Sequence, residues 1–427
     1  MNRQENPEAL RRPIMHGEAD ALRAQGLDVE TVGDILEGGR QQPEPVTLLD
    51  PPRLDDTPPF PEPGIYFNMP EADYHAVPAL SNSGIKALAS SPMLFWARSW
   101  LNPDKEEEDK EHRILGNAYH CRILEGRQTF EKRFAVSLDR KDYPDALSTN
   151  DEIKAAIYEA GERPVSVVPT GGTKVSASGK ESPITRAAKK EDWIEQLLKI
   201  DPAAQIWDEI VLDHAGDHAG KAMIGQDQWK RLEIAAYMID RDPELTKAFS
   251  GGHPEVSLFW HCSRTGVPMK ARVDYLKIRA MVDLKSFGNQ RERSIERAIA
   301  YEIAGYHYNI QPSVYFEGAE EVRKIVRERG AAAVHGLVDP TWALQWAKHT
   351  EPDRWLFVFQ QKGPAPVTRG LWYPRGGSTK TITDEIVRRQ KLKFREYART
   401  FGVEPWLDIE PIYDLADEDI PPFATEI

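Results

Sequence analysis

The chain has 427 residues and a formal net charge of −13. This length allows one to three domains with a sizeable core, and two cysteines, Cys121 and Cys262, exclude a disulfide framework and any four-cysteine zinc or iron–sulfur site. No run approaches the roughly 18 apolar residues of a membrane span, and the first residues carry no apolar signal region, so we expect a cytoplasmic protein with no membrane partner.

The acidic charge is concentrated at the two ends of the chain. Residues 1–62 carry a net charge of −7 and residues 404–427 carry −8, which leaves residues 63–403 at +2. Within that body, the span 263–297 has nine Lys or Arg residues against four Asp or Glu residues. Because the local field matters more than the total charge, the body could bind nucleic acid.

The same division predicts the domain organisation. Residues 1–62 are rich in proline and acid and have few apolar positions, which predicts a mostly disordered arm. Residues 63–403 are predicted to fold, and 404–427 form an acidic tail. Within the folded part, 141–220 has a weak pattern that predicts an insertion, with a flexible Gly, Ser and Thr segment at 170–182.

The first predicted elements of the folded part are an edge strand and several helices. The strand begins at Gly64, and Ser81 is placed to cap a helix over 82–89. Ser91, followed by proline, opens the next helix. A further helix carries His120. If this histidine has a purely structural role, its ring is buried and donates a hydrogen bond to a backbone carbonyl.

Candidate catalytic residues are most concentrated in two segments, from Met269 to Tyr275 and from Ala280 to Leu284, in which apolar and polar residues alternate as in a β-strand. A hairpin that turns around residues 278 and 279 would place Asp274 directly opposite Asp283. Opposed side chains of an antiparallel pair have Cβ atoms roughly 4.5 to 5.5 Å apart, where like charges destabilise the sheet. The two carboxylates therefore require a proton or a cation between them.

Lys285 lies on the same face as Asp283, two residues further along. A metal-dependent phosphodiesterase needs a cation of this kind beside the attacking water. Lys270 and Arg272 are candidate contacts for DNA phosphates, and a solvated strand face is the alternative. Glu255 could support the acidic pair, although an exposed glutamate at the start of a strand is the simpler interpretation.

The remaining predicted elements lie on both sides of the hairpin in the chain. Gln311 and Tyr315 stand four residues apart on one face of a helix that Pro312 either starts or kinks. The other predictions are a helix over 229–240, a strand over 255–261 that extends the sheet of the hairpin, a helix over 291–308, strands over 355–361 and 367–373, and a helix over 383–400.

The order His120, Asp274, Asp283-x-Lys285 and Gln311-xxx-Tyr315 resembles the RecB-like branch of the PD-(D/E)XK nuclease superfamily. Five segments also resemble successive signature blocks of the exodeoxyribonuclease VIII (RecE-type) family. They are PGIYFNMPEADYH (63–75), LSNSGIKALASSPMLFW (80–96), LGNAYHCRILEG (115–126), ARVDYL with MVDLKSF (271–287), and HYNIQPSVYFEG (307–318). The resemblance implies an α/β fold with a PD-(D/E)XK restriction-endonuclease-like core, in which helices flank a central mixed sheet.

The resemblance also implies roles for individual residues. Asp274, Asp283 and Lys285 would be catalytic, with Lys285 orienting the attacking water. His120, Asp274, Asp283 and the main-chain carbonyl of Leu284 would bind Mg²⁺ or Mn²⁺, which suits hard oxygen ligands. Two further residues, Gln311 and Tyr315, would hold the phosphate backbone.

A metal-dependent exodeoxyribonuclease is the function that this resemblance implies. It would degrade linear double-stranded DNA from its ends, 5′ to 3′, by two-metal hydrolysis in phage-type recombination or repair. The implied partners are DNA ends and a single-strand annealing protein, and the implied assembly is a homo-oligomeric ring.

Three rival interpretations remain open at this point. A Cas4-like or repair nuclease would differ in polarity, although Cas4 relatives carry a four-cysteine cluster that this chain cannot supply. A DNA-end-binding module without catalysis would not need to tolerate Asp274 opposite Asp283. The acidic arm could also inhibit the body by mimicking the charge of DNA.

Overall fold

The computed structural model describes residues 46–105, 110–176, 178–351, 353–362 and 366–407. Most of the predicted arm, 1–45, and of the predicted tail, 408–427, lies outside them. Among the helices of these ranges, none combines the length and the apolar composition needed to cross a membrane.

The strands fall into one large sheet and two small ladders. In chain order they are β1 (Gly64–Tyr66), β2 (Phe134–Val136), β3 (Val167–Val175), β4 (Glu181–Ala187), β5 (Ala222–Ile224), β6 (His253–His261), β7 (Pro268–Leu276), β8 (Ala280–Gly288), β9 (Val334–His335), β10 (Arg354–Lys362) and β11 (Thr368–Tyr373).

The helices surround the large sheet. They are α1 (Glu71–Ala76), α2 (Asn82–Ser90), α3 (Pro92–Arg98), α4 (Lys110–His120), α5 (Arg127–Arg133), α6 (Asn150–Glu159), α7 (Lys190–Ile200), α8 (Trp207–Asp217), α9 (Gln226–Arg241), α10 (Pro243–Ala248), α11 (Ile295–Gly305), α12 (Ile310–Arg329), α13 (Pro340–Lys348) and α14 (Ser378–Phe401). A π-helical turn, Cys121–Glu125, continues α4.

The large sheet has the order β11-β10-β8-β7-β6-β1-β9. It is mixed, because β8 with β10 and β1 with β9 pair in parallel while the other neighbours pair antiparallel. This confirms the predicted central mixed sheet with helices around it. The prediction that β1 is an edge strand is wrong, since β9 pairs along its outer side.

Local sequence signals explain several helix starts. The Ser81 side chain accepts a hydrogen bond from the Gly84 N–H, and Ser91 accepts one from the Leu94 N–H, so both predicted caps are present. Pro312 is the third residue of α12, where its missing N–H leaves no helical hydrogen bond unmade. It therefore belongs to the start of this helix and is not a kink.

Two segments that were predicted to be disordered or flexible make defined contacts in the structure, and the arm over 1–62 stays a prediction. Residues 46–62, predicted as part of the arm, pack on the fold: Leu49 N–H donates to the Gly266 carbonyl at 2.9 Å and the Trp100 indole N–H donates to the Pro52 carbonyl at 2.8 Å. The Gly, Ser and Thr segment contributes to β3 and β4, which pair antiparallel with a register shift between Pro169 and Thr173.

The region predicted as an insertion, 141–220, has a small core of its own. Ile153, Ile157, Leu197 and Ile206 are buried together there. Its status as an insertion stays a prediction.

A buried ion pair fixes the turn between β7 and β8. The Arg323 guanidinium on α12 contacts the Asp353 carboxylate at 2.5 and 2.9 Å. The same group donates to the carbonyls of Trp346 and Ile278, each at 3.1 Å. Arg323 thus connects α12, the end of α13 and the hairpin turn to the residue before β10.

Helix α12 lies against the middle of the sheet because a glycine faces it. A Cβ atom on Gly318 would stand 2.6 Å from the Trp260 ring of β6. That distance is shorter than real Cβ atoms adopt, and both partners are in the packed interior. The absence of a side chain at this position therefore sets the distance between α12 and β6.

We expect Gly318→Ala to lower the free energy of unfolding by about 1–3 kcal/mol, since the added methyl group overpacks the core. Urea denaturation measures this directly. Gly216→Ala is the matched control: Gly216 is also in a helix, and nothing lies within 4 Å of an added Cβ, so the change should be neutral or slightly stabilising. Equal stability of the two variants would contradict the packing argument.

Candidate active site

The candidate site begins where β7 and β8 stop pairing. The Lys277 N–H donates to the Ala280 carbonyl at 2.8 Å, as predicted for the turn, and the paired residues are Leu276 with Met281 and Tyr275 with Val282. The next pair in this register would be Asp274 with Asp283, and the ladder ends before it. Two carboxylates therefore stand at the point where the strands separate.

Asp274 turns toward the backbone of β8. Its Oδ2 accepts a hydrogen bond from the Leu284 N–H at 2.8 Å. This bond occupies a backbone donor that the ladder leaves free, which is what a buried polar group requires. The two aspartates are thus held by different partners, although they lie next to each other on neighbouring strands.

Asp283 is almost completely buried, with 1% of its surface exposed. Lys285 Nζ lies 2.8 Å from its Oδ1 and 2.7 Å from its Oδ2, and Gln311 Nε2 donates to Oδ1 at 2.5 Å. Burial raises the pKa of Asp283 to about 6 despite the neighbouring lysine. Burial alone would lower the pKa of Lys285, but Asp283 and Asp274 outweigh it and raise the pKa.

A second group forms around His120 at the end of α4. Its Nδ1 lies 3.5 Å from Glu255 Oε1 and 3.9 Å from Asp274 Oδ2, and the ligand atoms of these three residues all lie within 4.8 Å of one another. Burial acts to lower the pKa of His120, but the carboxylates of Asp274 and Glu255 raise it to about 9. A positive charge is therefore favoured at this position.

Glu255 is held in this group by an unusual backbone conformation. Its φ is +51°, in the left-handed region that residues with a Cβ rarely adopt. The neighbouring residues pair with β7 as Val256 with Val273 and Pro254 with Tyr275, so Glu255 interrupts the ladder beside Asp274. Arg272 Nε lies 3.5 Å from Glu255 Oε2 and positions this carboxylate.

The structure does not bring Lys270 or Arg272 to a surface that DNA could reach. Lys270 is 5% exposed, and its ammonium donates to the carbonyls of Tyr74, His75 and Val77 at 3.0, 3.1 and 2.7 Å. All three of its donors are used. Arg272 lies over the Tyr74 ring and donates to the Met69 carbonyl. Both side chains bind backbone carbonyls of α1 and of the residues on either side of it.

The two residues predicted to hold the phosphate backbone are also buried. Gln311 contacts Asp283, as described above. Tyr315 packs edge-to-face on Trp355 with ring centroids 5.3 Å apart, and burial raises its pKa well above the usual range. A direct phosphate contact by either residue stays a prediction.

A cavity of about 180 Å³ opens beside these groups. Its walls include His120, Leu284, Lys285 and Tyr308. The Lys285 ammonium lies 5.3 Å from the Tyr308 ring centroid, and Lys86 Nζ lies 5.1 Å from the same centroid. Burial, followed by repulsion from Lys285, lowers the pKa of Lys86 to about 8. Lys362 also belongs to the cavity wall. The positive groups in and beside this wall would be stabilised by an anion.

The chemistry of the donors fits a divalent cation. Asp283 Oδ2 is buried and receives no hydrogen bond, although Lys285 stands beside it. His120, Glu255 and Asp274 offer one imidazole and two carboxylates within a small volume. Carboxylate oxygens suit Mg²⁺ and Mn²⁺, and imidazole is accepted by several transition metals. These residues would hold the ion, with Asp283 and the Leu284 carbonyl at the adjoining edge.

Glu255 and Tyr308 are the residues whose place here differs most from the sequence interpretation. Glu255 was predicted to be an exposed glutamate at the start of a strand, and nothing in the pattern separated Tyr308 from an ordinary helix residue. The signal for Glu255 was available. A symmetric hairpin centred between Arg264 and Thr265 places it opposite Asp274, by the same counting that places Asp274 opposite Asp283.

Comparisons with known proteins identify a related domain within the chain. Residues 207–335 match a family described as a PDDEXK-like domain of unknown function, DUF3799. A search of curated proteins found no significant match. The match covers β6, β7, β8 and α12, which carry Glu255, Asp274, Asp283, Lys285 and Gln311. The chain therefore has a PD-(D/E)XK-like fold, and this supports a nuclease.

Among solved structures, the chain is similar to a protein from Eubacterium rectale that is provisionally described as an exonuclease. The identity is 14%, the alignment covers 76% of this chain and 83% of that one, and the TM-score is 0.37.

We expect Glu255→Gln to weaken Mn²⁺ binding at least about 10-fold, because one charged ligand is replaced by a neutral amide. Isothermal titration calorimetry measures the affinity without DNA. Glu209→Gln changes an exposed glutamate on α8 in the same way and should leave the affinity unchanged. Unaltered Mn²⁺ affinity in Glu255→Gln would remove this residue from the ligand set.

Proposed function

We propose that this protein is a metal-dependent exodeoxyribonuclease that degrades linear double-stranded DNA from its ends. One observation carries the proposal: Asp274, Asp283 and Lys285 lie close to His120 and Glu255 beside one cavity, whose wall includes His120 and Lys285. These residues come from strands inside the matched PDDEXK-like region and from the helix end before it. Carboxylates and a lysine beside a positively lined cavity suit hydrolysis of a phosphodiester.

The residues have separate tasks in the proposed reaction. The divalent cation, when bound, supplies a Lewis acid that neutralises charge on the phosphate. Asp274, Glu255 and His120 hold it. Asp283 fixes the Lys285 ammonium between its two oxygens, and Lys285 in turn orients the attacking water. Gln311 restrains the Asp283 carboxylate, so that the lysine keeps one position.

The finer features of the proposal rest on the sequence blocks that resemble the RecE-type family. They are 5′ to 3′ polarity, a two-metal mechanism with Mg²⁺ or Mn²⁺, a place in phage-type recombination or repair in the cytoplasm, a single-strand annealing protein as partner, and a ring of identical subunits around DNA. The proposed catalytic and metal-binding residues are Asp274, Asp283, Lys285, His120 and Leu284. Gln311 and Tyr315 are proposed to hold the DNA phosphate backbone.

A DNA-end-binding module without catalysis is the second candidate. The buried Asp283 argues against it, because a carboxylate with a pKa of about 6 held against a lysine costs stability that binding alone does not require. A nuclease of the opposite polarity would use the same groups, and only labelled substrates separate it from the leading proposal.

We expect the purified protein with Mg²⁺ to degrade linear duplex DNA and to leave covalently closed circles intact, and we expect a chelator to stop the reaction. Asp283→Ala should lower the rate at least about 100-fold, since it releases Lys285 and removes a charged group from the site. Asp227→Ala, on the exposed surface of α9, is the matched control and should retain full activity.

The same assay can also contradict the proposal. Equal digestion of linear and closed DNA would contradict the proposal that the protein is an exonuclease. Activity that survives the chelator would contradict the metal-dependent mechanism. Fragments from substrates labelled at the 5′ or the 3′ end report the polarity. Circular dichroism of Asp283→Ala establishes that the variant is folded, and Lys285→Ala provides a second loss-of-activity variant.

A further inference from the structure

Two tyrosines stack beside the candidate active site. The rings of Tyr306 and Tyr308 have centroids 5.6 Å apart and planes inclined by 17°. Tyr308 forms part of the cavity wall next to Lys285, whereas Tyr306 has 60% of its surface exposed. The pair therefore extends an aromatic surface from the cavity into solvent.

The backbone between the two rings is strained in a way that aligns them. His307 has a φ of +51°, a conformation that favours glycine. The reversal ends α11, with the Tyr306 N–H donating to the Glu302 carbonyl and the Tyr308 N–H to the Ile303 carbonyl, each at 3.0 Å. Helix ends of this type usually carry glycine, and here the turn places an aromatic ring on each side of a histidine.

Positive charge accompanies the stacked rings. The Lys86 ammonium donates to the Tyr306 carbonyl at 2.7 Å and lies 5.1 Å from the Tyr308 ring centroid. On the cavity side, Lys285 lies 5.3 Å from that centroid. A ligand that combines a flat ring with a phosphate would find both partners here.

We propose that the stacked Tyr306 and Tyr308 rings, with Lys86 beside them, form a platform that binds an unpaired nucleobase at the end of a DNA strand. The inference rests on the proposed nuclease function and deepens it, because it names a single-stranded end as the form that enters the site. Tyr306 and Tyr308 are positioning residues: they hold the strand while the groups around Lys285 act on its phosphate.

An unpaired base fits this surface better than a paired one does. Bases inside a duplex are stacked on both faces, so an exposed tyrosine ring can stack only on a base that is terminal or unpaired. Stacking on an aromatic side chain tolerates any sequence, as degradation of unrelated DNA ends requires. Tyr306 offers the free outer face, and Tyr308 supports it from inside.

The test measures stacking without hydrolysis. A short single-stranded oligonucleotide with 2-aminopurine at its terminus is titrated with the full chain in the presence of a chelator, because stacking quenches the fluorescence of this base. Tyr306→Ala should weaken binding about 10-fold and lose the quenching, whereas Tyr306→Phe should stay within about threefold of the wild type. Tyr158→Ala, which removes an equally exposed tyrosine on α6, should behave as the wild type.

Kinetics on linear DNA with Mg²⁺ provide a second reading. Tyr306→Ala should raise KM about 10-fold and change kcat by less than about threefold, since it removes binding and not chemistry. Normal binding, quenching and KM in Tyr306→Ala, together with metal-dependent hydrolysis by the wild type, would overturn the platform alone. Absence of hydrolysis in every protein would instead overturn the proposed function.

A free nucleotide is the control ligand. The triphosphate of 2-aminopurine deoxyriboside should bind the wild type more weakly than the oligonucleotide does, because it lacks the phosphodiester groups of the adjacent nucleotides in a strand. Equal affinity for the free nucleotide would overturn the assignment to a DNA strand end.

Discussion

The candidate site depends on the point at which two neighbouring strands stop pairing. Beyond Tyr275 and Val282, a continued ladder would press Asp274 against Asp283, and directly opposed like charges destabilise a sheet. The strands instead rely on other neighbours there, β7 on β6 and β8 on β10. The Arg323–Asp353 pair holds the closed end of this fork by binding the turn carbonyl of Ile278. The open end is thereby free to accommodate carboxylates, a lysine and a cation.

The charges at the open end are balanced in two separate groups. Asp283 is paired with Lys285 in the interior, while Asp274 and Glu255 face His120 nearer to solvent. Because each carboxylate has a cationic neighbour, the site can remain folded before any ion or DNA arrives. The cavity next to them is positively lined by Lys285 and Lys362, and Lys86 lies over the Tyr308 ring of its wall. The site is thus prepared for an anion on one side and for a metal on the other.

Much of this arrangement could be predicted from local patterns. The alternation of apolar residues identified β7 and β8, although both faces of these strands are largely buried. The count of residues around the turn agrees with the register of the paired residues. The family resemblance, and not a local pattern, grouped His120 with Asp274, Asp283 and Lys285; in the structure His120 Nδ1 lies 3.9 Å from Asp274 Oδ2, and Lys285 contacts Asp283. The position of Lys270 could not be predicted, since its three carbonyl partners come from residues almost 200 positions earlier. The β3–β4 hairpin was missed because its strands are mostly exposed and carry turn-forming residues in place of an apolar stripe.

The left-handed conformation of Glu255 means that stability and activity make opposite demands at one position. Glycine or asparagine would adopt that backbone with less strain, yet neither would present a carboxylate to His120. Directed evolution toward heat resistance, with no requirement for catalysis, would therefore be drawn to replace this glutamate. An engineer seeking a more robust form of the protein should hold position 255 fixed and look for gains elsewhere.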